Sequence, residues 1–411
     1  MGTKNFFEIK RGARIVSLVL SLTLCFSLWA MPAQLAFADT AALWNGGIDT
    51  SWYKAGETEF TLNTADELAG LAKLVNDGNS FSGVTVALGQ DIVLNGESSD
   101  NVWTPIGKSA DSSAGAAAQP FKGVFDGAGH KVSGVKVNSS LRGTGFFGYI
   151  SGSAQIKNLT VEGSIVSSEI STGGIVGIID NSTDVVVKNC VNLCSVTSGG
   201  THAGGIVGYN SGGSMENCLN DAAVTFNGQS GNGGVGGVVG TLLGGSITKC
   251  ANTAALEINA SANTGNSLGG IVGSAFCSYQ ADVTVTDCYN RGALSSDDND
   301  TYAGCGGIIG YAGIGSNTNY NVCVTNCYST GALTGVGNQT GGIIGIAETD
   351  EESGTLVSGI KASNNYYLAN TVNGENGGIA GSDVSGSAYN RSADNLKALL
   401  LSDSYVADKD N

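Results

Sequence analysis

The chain has 411 residues with a net charge of −16, and carries 64 glycines but three prolines and two histidines. Glycine without a three-residue period excludes collagen, and a steady supply of Ile, Val and Leu excludes a disordered chain. The acidic balance makes nucleic acid an unsuitable partner.

Residues 1–38 read as an export signal peptide. Lys4, Lys10, Arg11 and Arg14 form a positive end, Ile15 to Ala30 an apolar run, and Ala36-Phe37-Ala38 offers small residues for cleavage after Ala38. An uncleaved anchor is the alternative, because the run approaches spanning length. Cys25 follows Leu24, where a lipoprotein site needs a small residue. Without this segment 34 acids face 15 bases, or −19.

Residues 39–143 read as an N-terminal cap with the first coils. Trp44, Trp52 and Tyr53 open it, and Thr64-Ala65-Asp66-Glu67 is a capping box. Leu68, Leu71, Ala72 and Val75 then share one helical face, which predicts a helix over about 65–76. A stack of parallel strands has an open end that invites association, and this helix is expected to cover it. Strands are expected at 84–88, 91–94 and on both sides of the turn at Gly127-Ala128-Gly129. His130 follows that turn without any catalytic signature and is read as a turn or packing residue.

From residue 144 to 391 a pentapeptide recurs: two glycines, two aliphatics, one glycine. A degenerate copy starts at Thr144, and later copies start at Gly173, Gly204, Gly236, Gly269, Gly306, Gly341 and Gly377. Successive starts lie 29, 31, 32, 33, 37, 35 and 36 residues apart. Such a period marks a solenoid or array. The motif residues are Gly174-Ile175-Val176-Gly177, Gly205-Ile206-Val207-Gly208, Gly237-Val238-Val239-Gly240, Gly270-Ile271-Val272-Gly273, Gly307-Ile308-Ile309-Gly310 and Gly342-Ile343-Ile344-Gly345. A phosphate-binding reading would need a single loop before a helix with a Lys or ribose-binding acid, and no copy has that context.

Other columns keep phase with the motif. Cys190, Cys218, Cys250, Cys288 and Cys327 share one position, with Leu159 in the earlier coil, so the column calls for a compact apolar side chain and points inward. Two residues later stand Asn192, Asn220, Asn252, Asn290 and Ser329. These amides tolerate left-handed corners and, stacked, can hydrogen-bond from coil to coil. Three short strands per coil are expected: at the motif, before the cysteine and after the asparagine corner. The first aliphatic column is expected inside, with the second facing a covering loop. The fold expected is therefore all-β, a parallel β-helix of about ten coils with an N-terminal amphipathic capping helix. Residues 392–411 are read as a second capping helix, from Leu396, Leu399 and Leu400, running into a truncated tail.

Nine cysteines follow the signal segment, an odd number in an exported chain. Buried thiols are the first reading; rung-to-rung disulfides are the geometric alternative. Cys190 and Cys194, like Cys323 and Cys327, lack zinc-knuckle spacing, and no metal or cofactor is expected. The acidic stretches Asp297-Asp298-Asn299-Asp300 and Asp350-Glu351-Glu352 miss the spacing of a calcium loop and are read as solvated turns.

These motifs resemble the GLUG-motif repeat proteins of bacterial, often Gram-positive, cell surfaces. The segment from Thr64 to Gly148 resembles their N-terminal region through Trp103-Thr104-Pro105-Ile106-Gly107, Phe125-Asp126-Gly127 and Gly145-Phe146-Phe147-Gly148. Related repeats accompany IgA-specific metallopeptidases, but the His-Glu-x-x-His zinc motif of their catalytic part is absent here, and the two histidines are His130 and His202. The resemblance implies a secreted or cell-surface protein. Its expected role is a non-catalytic scaffold or adhesin that binds a host, matrix or glycan ligand through variable loops, or spaces other domains. The alternative is a polysaccharide lyase or glycosidase, for which Asp126 and Asp287 are the candidate acids.

Overall fold

The computed structural model describes residues 43–96, 101–110, 117–180, 183–228, 231, 233–259, 264–277, 281–298, 300, 303–314, 319–334, 339–348 and 359–368, and the backbone of 388–391. The signal segment with Ala38, the motif copy at Gly377, the acidic stretch at 350–352 and the cap expected at 392–401 lie outside these residues.

Alternating short apolar strands wind into a parallel β-helix with four sheets. Within one coil, Ser171–Gly173 belongs to a six-stranded sheet and Val176–Ile179 to a seven-stranded one. Val186–Lys188 then joins a ten-stranded sheet and Val191–Ser198 a fourteen-stranded one. Each strand pairs in parallel with its equivalent one coil away, as Val187 does with Ile156 and Met215. Ten rungs stack in the ten-stranded sheet, from Glu59–Leu62 to Ile360–Ser363. Inward residues along all of them form one continuous core.

There are thus four sheets, where the sequence suggested three strands per coil. The pentapeptide is a corner: one strand ends on its first glycine, Gly173, and the next begins at Val176. Because the chain bends between them, Ile175 and Val176 both reach the same core, each with no exposed surface. A flat strand would have sent them to opposite faces, which is the reason the covering loop expected over the second column is not needed there.

Helix α1 (Ala65–Asn76) starts at the Thr64 cap, where Glu67 N–H donates to Thr64 Oγ1 at 3.2 Å and Thr64 N–H to Glu67 Oε2 at 3.0 Å. Its buried face, Leu68, Leu71, Ala72 and Val75, joins the core of the first coils. Aromatic rings complete this end. Trp52 and Tyr53 pack on Phe60 with centroids 5.1 and 5.5 Å apart, and Trp103 stacks on Phe146 at 5.1 Å.

Candidate functional site

Of the four corners one has constant length, one is constant over six successive coils and two vary. The motif corner always spans two residues, 174–175 in one coil and 342–343 five coils later. The corner before the fourteen-stranded sheet spans two from 158–159 to 326–327, but three at 89–91, four at 127–130 and one at 364. By contrast, the corner entering the ten-stranded sheet ranges from residues 243–244 to 348–359. The corner leaving the fourteen-stranded sheet ranges from 168–170 to 297–304. Loops that vary while their supports stay fixed are where solenoids carry recognition.

The constant corners are constant because their side chains interlock. None of the described motif glycines has a left-handed φ, so backbone freedom is not what selects them. Space does. A Cβ on Gly174 would overlap the Asn192 amide, and one on Gly205, Gly237 or Gly270 would overlap Asn220, Asn252 or Asn290. The second glycine of these four motifs thus leaves room for an asparagine across the coil, as Gly307 and Gly342 do for Ser329 and Tyr367, which explains why the columns keep phase in the sequence. The asparagines are buried and form a ladder: Asn192 Nδ2 donates to Asn220 Oδ1, Asn220 to Asn252 and Asn252 to Asn290, each at 2.8 Å. Asn290 Nδ2 donates onward to Ser329 Oγ at 3.3 Å. The second amide proton is also used, for example by Asn192 on the Cys194 carbonyl at 2.9 Å.

The left-handed corner lies elsewhere than the sequence suggested. It is the residue before the cysteine column, at Asn158, Asn189, Asn217, Lys249, Asp287 and Asn326, with φ between 51° and 56°. The Asn192 column lies in strands because its amides are engaged inside the coil. A second ladder runs along these corners: Asn217 to Asn189 and Asn189 to Asn158 at 2.9 Å, and Asn158 to Asp126 at 3.0 Å. It is broken at Lys249.

The column Cys190, Cys218, Cys250, Cys288 and Cys327 is buried, and all nine described cysteines are free thiols. Their Sγ atoms donate to strand carbonyls, as Cys190 does to Lys188 at 3.2 Å. Burial pushes the thiols of Cys190, Cys250 and Cys288 well above the ordinary range, and those of Cys277 and Cys305 to about 11 and about 12. Such thiols are poor nucleophiles.

Asp126 and Asp287 are not brought together. They sit on the third and eighth rungs of the ten-stranded sheet, roughly 24 Å apart at ~4.8 Å per rung. Asp126 accepts from Ala128 N–H and Asn158 Nδ2 and faces Lys157 at 3.3 Å; Asp287 accepts from Asn326 Nδ2 at 3.1 Å. His130 Nδ1 lies 3.1 Å from Asp91 Oδ1 at an exposed turn. His202 Nδ1 lies 2.8 Å from Thr241 Oγ1, and burial, assisted by Arg142, lowers its pKa to about 4.

Within the acidic stretch Asp297 is exposed, as expected of a solvated turn, but Asp298 is not. Asp298 is 2% exposed and accepts from Thr264 Oγ1 at 2.7 Å and from the N–H groups of Thr264, Asn266 and Asp300 at 3.0–3.1 Å. Burial opposes its charge, but these bonds prevail and hold the carboxyl below its ordinary range. It ties one variable loop to the next.

One cavity, of about 380 Å³, lies at the N-terminal cap beside α1, between Trp44 and Trp103. The sequence analysis read those tryptophans and α1 only as parts of a cap. The available signal was Trp44 lying close before an amphipathic helix; the return of 101–104 to the same place is a tertiary fact.

No protein-family model matches the chain, and no curated protein is similar to it. No family model thus bears out the resemblance to GLUG-motif repeats. Among solved structures, the chain is similar to a Bacteroides ovatus protein provisionally described as an immunoglobulin A1 protease. The two are 20% identical over 83% of this chain and 86% of that one, with a TM-score of 0.49.

Proposed function

We propose that this protein is an exported, non-catalytic β-solenoid that displays recognition loops on the bacterial surface or in the surrounding medium, to a host, matrix or glycan ligand. The observation that carries the reading is the division of the corners: the motif corner is locked at two residues by the glycine–asparagine interlock, while the corners entering the ten-stranded sheet and leaving the fourteen-stranded one vary from coil to coil. A rigid rod with variable loops on two edges suits extended, multipoint binding. The leader read at residues 1–38 supports export.

The test is to immobilise the purified protein and screen glycan and matrix-protein arrays, then repeat with corners 314–321 and 348–359 each cut to two residues. Binding that disappears on loop shortening, with an unchanged far-UV spectrum, supports display. Turnover of a polysaccharide, seen as new reducing ends or unsaturated products, overturns the non-catalytic reading.

A further inference from the structure

The face between the two variable corners carries polar and aromatic side chains held by the strands themselves. The six- and seven-stranded sheets run close together there: a Cβ on Gly177 would lie 2.4 Å from Thr144 N, and one on Gly208 2.6 Å from Thr172 N. Past these glycines side chains meet. His202 opens a strand of the six-stranded sheet and Tyr209 lies in the seven-stranded one, with ring centroids 5.3 Å apart and a tilt of 41°. Both residues are partly exposed. Tyr149 stands two rungs away in the Tyr209 column, with Ile178 between them, and its hydroxyl donates to Asp180 Oδ2.

Two charged residues reach this face from the variable corners. Arg142 follows Lys131–Ser139 in the corner leaving the fourteen-stranded sheet, and Asp180 follows Val176–Ile179 in the corner entering the ten-stranded one. Both are exposed. The Arg142 guanidinium is close enough to Tyr149 and His202 for its charge to act on both, and no carboxylate among the described residues pairs with it.

The tautomer of His202 follows from its partner. Thr241 Oγ1 lies 2.8 Å from Nδ1, and Thr241 is 4% exposed with no other side-chain hydrogen bond among the described residues. Its O–H therefore donates to Nδ1, since the opposite arrangement leaves a buried hydroxyl proton without an acceptor. Burial keeps the imidazole neutral at pH 7, so its proton sits on Nε2. That N–H has no partner among the described residues and keeps contact with solvent.

We propose that this face binds a neutral glycan, with the C–H face of a pyranose ring against Tyr209 and its hydroxyls bridging Asp180, Arg142 and His202 Nε2–H. A sugar hydroxyl donates and accepts at once, which suits a carboxylate placed beside two N–H donors. Its C–H groups suit the negative face of an aromatic ring. Asp180 and the net charge of −16 disfavour a polyanion, and an apolar ligand would leave the polar groups desolvated and unpaired. From Tyr149 to Tyr209 is two rungs, roughly 10 Å at ~4.8 Å each, space for more than one sugar ring. The site rests on the display reading and names its ligand class, but none of its residues belongs to the loops at 314–321 and 348–359.

The experiment titrates the purified protein calorimetrically with cellotetraose, maltotetraose, mannotetraose and N-acetylchitotetraose, and with tetragalacturonate as the anionic control. At least one neutral tetrasaccharide is expected to saturate one site, with tetragalacturonate about tenfold weaker or worse. Arg142→Ala and Asp180→Ala should each weaken that binding about tenfold. Both residues are exposed, so an unchanged melting temperature is expected and confirms that the variants fold. His202→Phe, which keeps a ring but removes Nε2–H, should weaken binding by a similar factor, and shortening the two loops should leave it unchanged. No saturable binding of any neutral tetrasaccharide, tighter binding of tetragalacturonate, or affinity unaffected by both Arg142→Ala and Asp180→Ala would each overturn this site. The display reading would survive any of these if array binding is still lost on loop shortening.

Discussion

The motif corner is alike in every described repeat and the corner before the fourteen-stranded sheet in six successive ones, while the other two corners vary, although all four solve the same problem of turning a parallel strand. The constant ones turn where opposite walls of the coil come close. There the second motif glycine meets the asparagine amide, and the amide meets its copies above and below. An extra residue would push the glycine out of line with the amide and break the ladder on both sides. Among the described residues the variable corners show no such glycine–asparagine contact, so the neighbouring strands determine their ends and length is less constrained. Rigidity and variability are thus separated by what lies across the coil, not by the turn itself.

The strongest way to test the constant half is to put a charge beside it. Val176 has no exposed surface and lies in the core directly after the motif corner. Val176→Asp should cost more than about 4 kcal/mol, because an unpaired carboxylate is buried with no cation in reach. Loss of the cooperative thermal transition is expected, and an unchanged melting temperature would mean that the residue is not interior.

A pH effect of somewhat smaller size is expected next to a variable corner. His202 follows residues 199–201, and its pKa in the fold, about 4, lies below the 6.5 of the free side chain. The unfolded chain therefore binds this proton first as pH falls. The contribution is whole above pH 6.5 and is lost progressively down to about 4, on the order of 3 kcal/mol in all. Tyr209, Thr241 and Arg142 are the groups that surround it. Denaturant unfolding at pH 7 and pH 4.5 should show this loss in the native protein and a smaller one in His202→Gln. Equal losses in both would show that His202 is not the source of the acid sensitivity.

The interlock itself predicts a coupling. Gly205→Ala alone should cost about 1–3 kcal/mol by overpacking. Asn220→Ala alone should cost a similar amount, since it removes the ladder acceptor of Asn192 Nδ2 and the ladder donor to Asn252 Oδ1. Together they should cost somewhat less than the sum, because the shortened side chain relieves one of the overlaps of the new methyl, the one with the Gly237 carbonyl remaining. Strictly additive losses would show that the two columns do not sense each other.

These columns also show how far the sequence could be read. The repeat, the parallel β-helix and the Thr64 cap were legible because each rests on spacing along the chain. The in-phase glycine and asparagine columns were visible too, but their reason was not. Both residue types tolerate unusual backbone angles, and that local property was the nearest explanation, whereas the cause is contact across the coil. The left-handed turn was misplaced by three residues for the same reason: Lys249 and Asp287 stand in that column beside the asparagines and hide its pattern. Asp298 looked like a surface charge because four acidic or amide residues adjoin; its partners at 264–266 lie a coil away. The cap cavity left no trace in spacing at all.

The smallest expected effect is the most direct comparison of the two kinds of corner. Inserting Gly-Ser-Gly-Ser between Leu243 and Gly244 lengthens the shortest variable corner from two residues to six. Loop-closure entropy puts the cost near ~1 kcal/mol, and strands on both sides should keep their register, because equivalent corners elsewhere already hold longer chains. The same four residues inserted between Gly237 and Val238 displace a glycine packed against Asn252 and should cost several times as much. Chemical denaturation of the two variants beside the parent gives the ratio. If both insertions are tolerated equally, the constant corners are constant by repetition alone, and the interlock is not what holds their length.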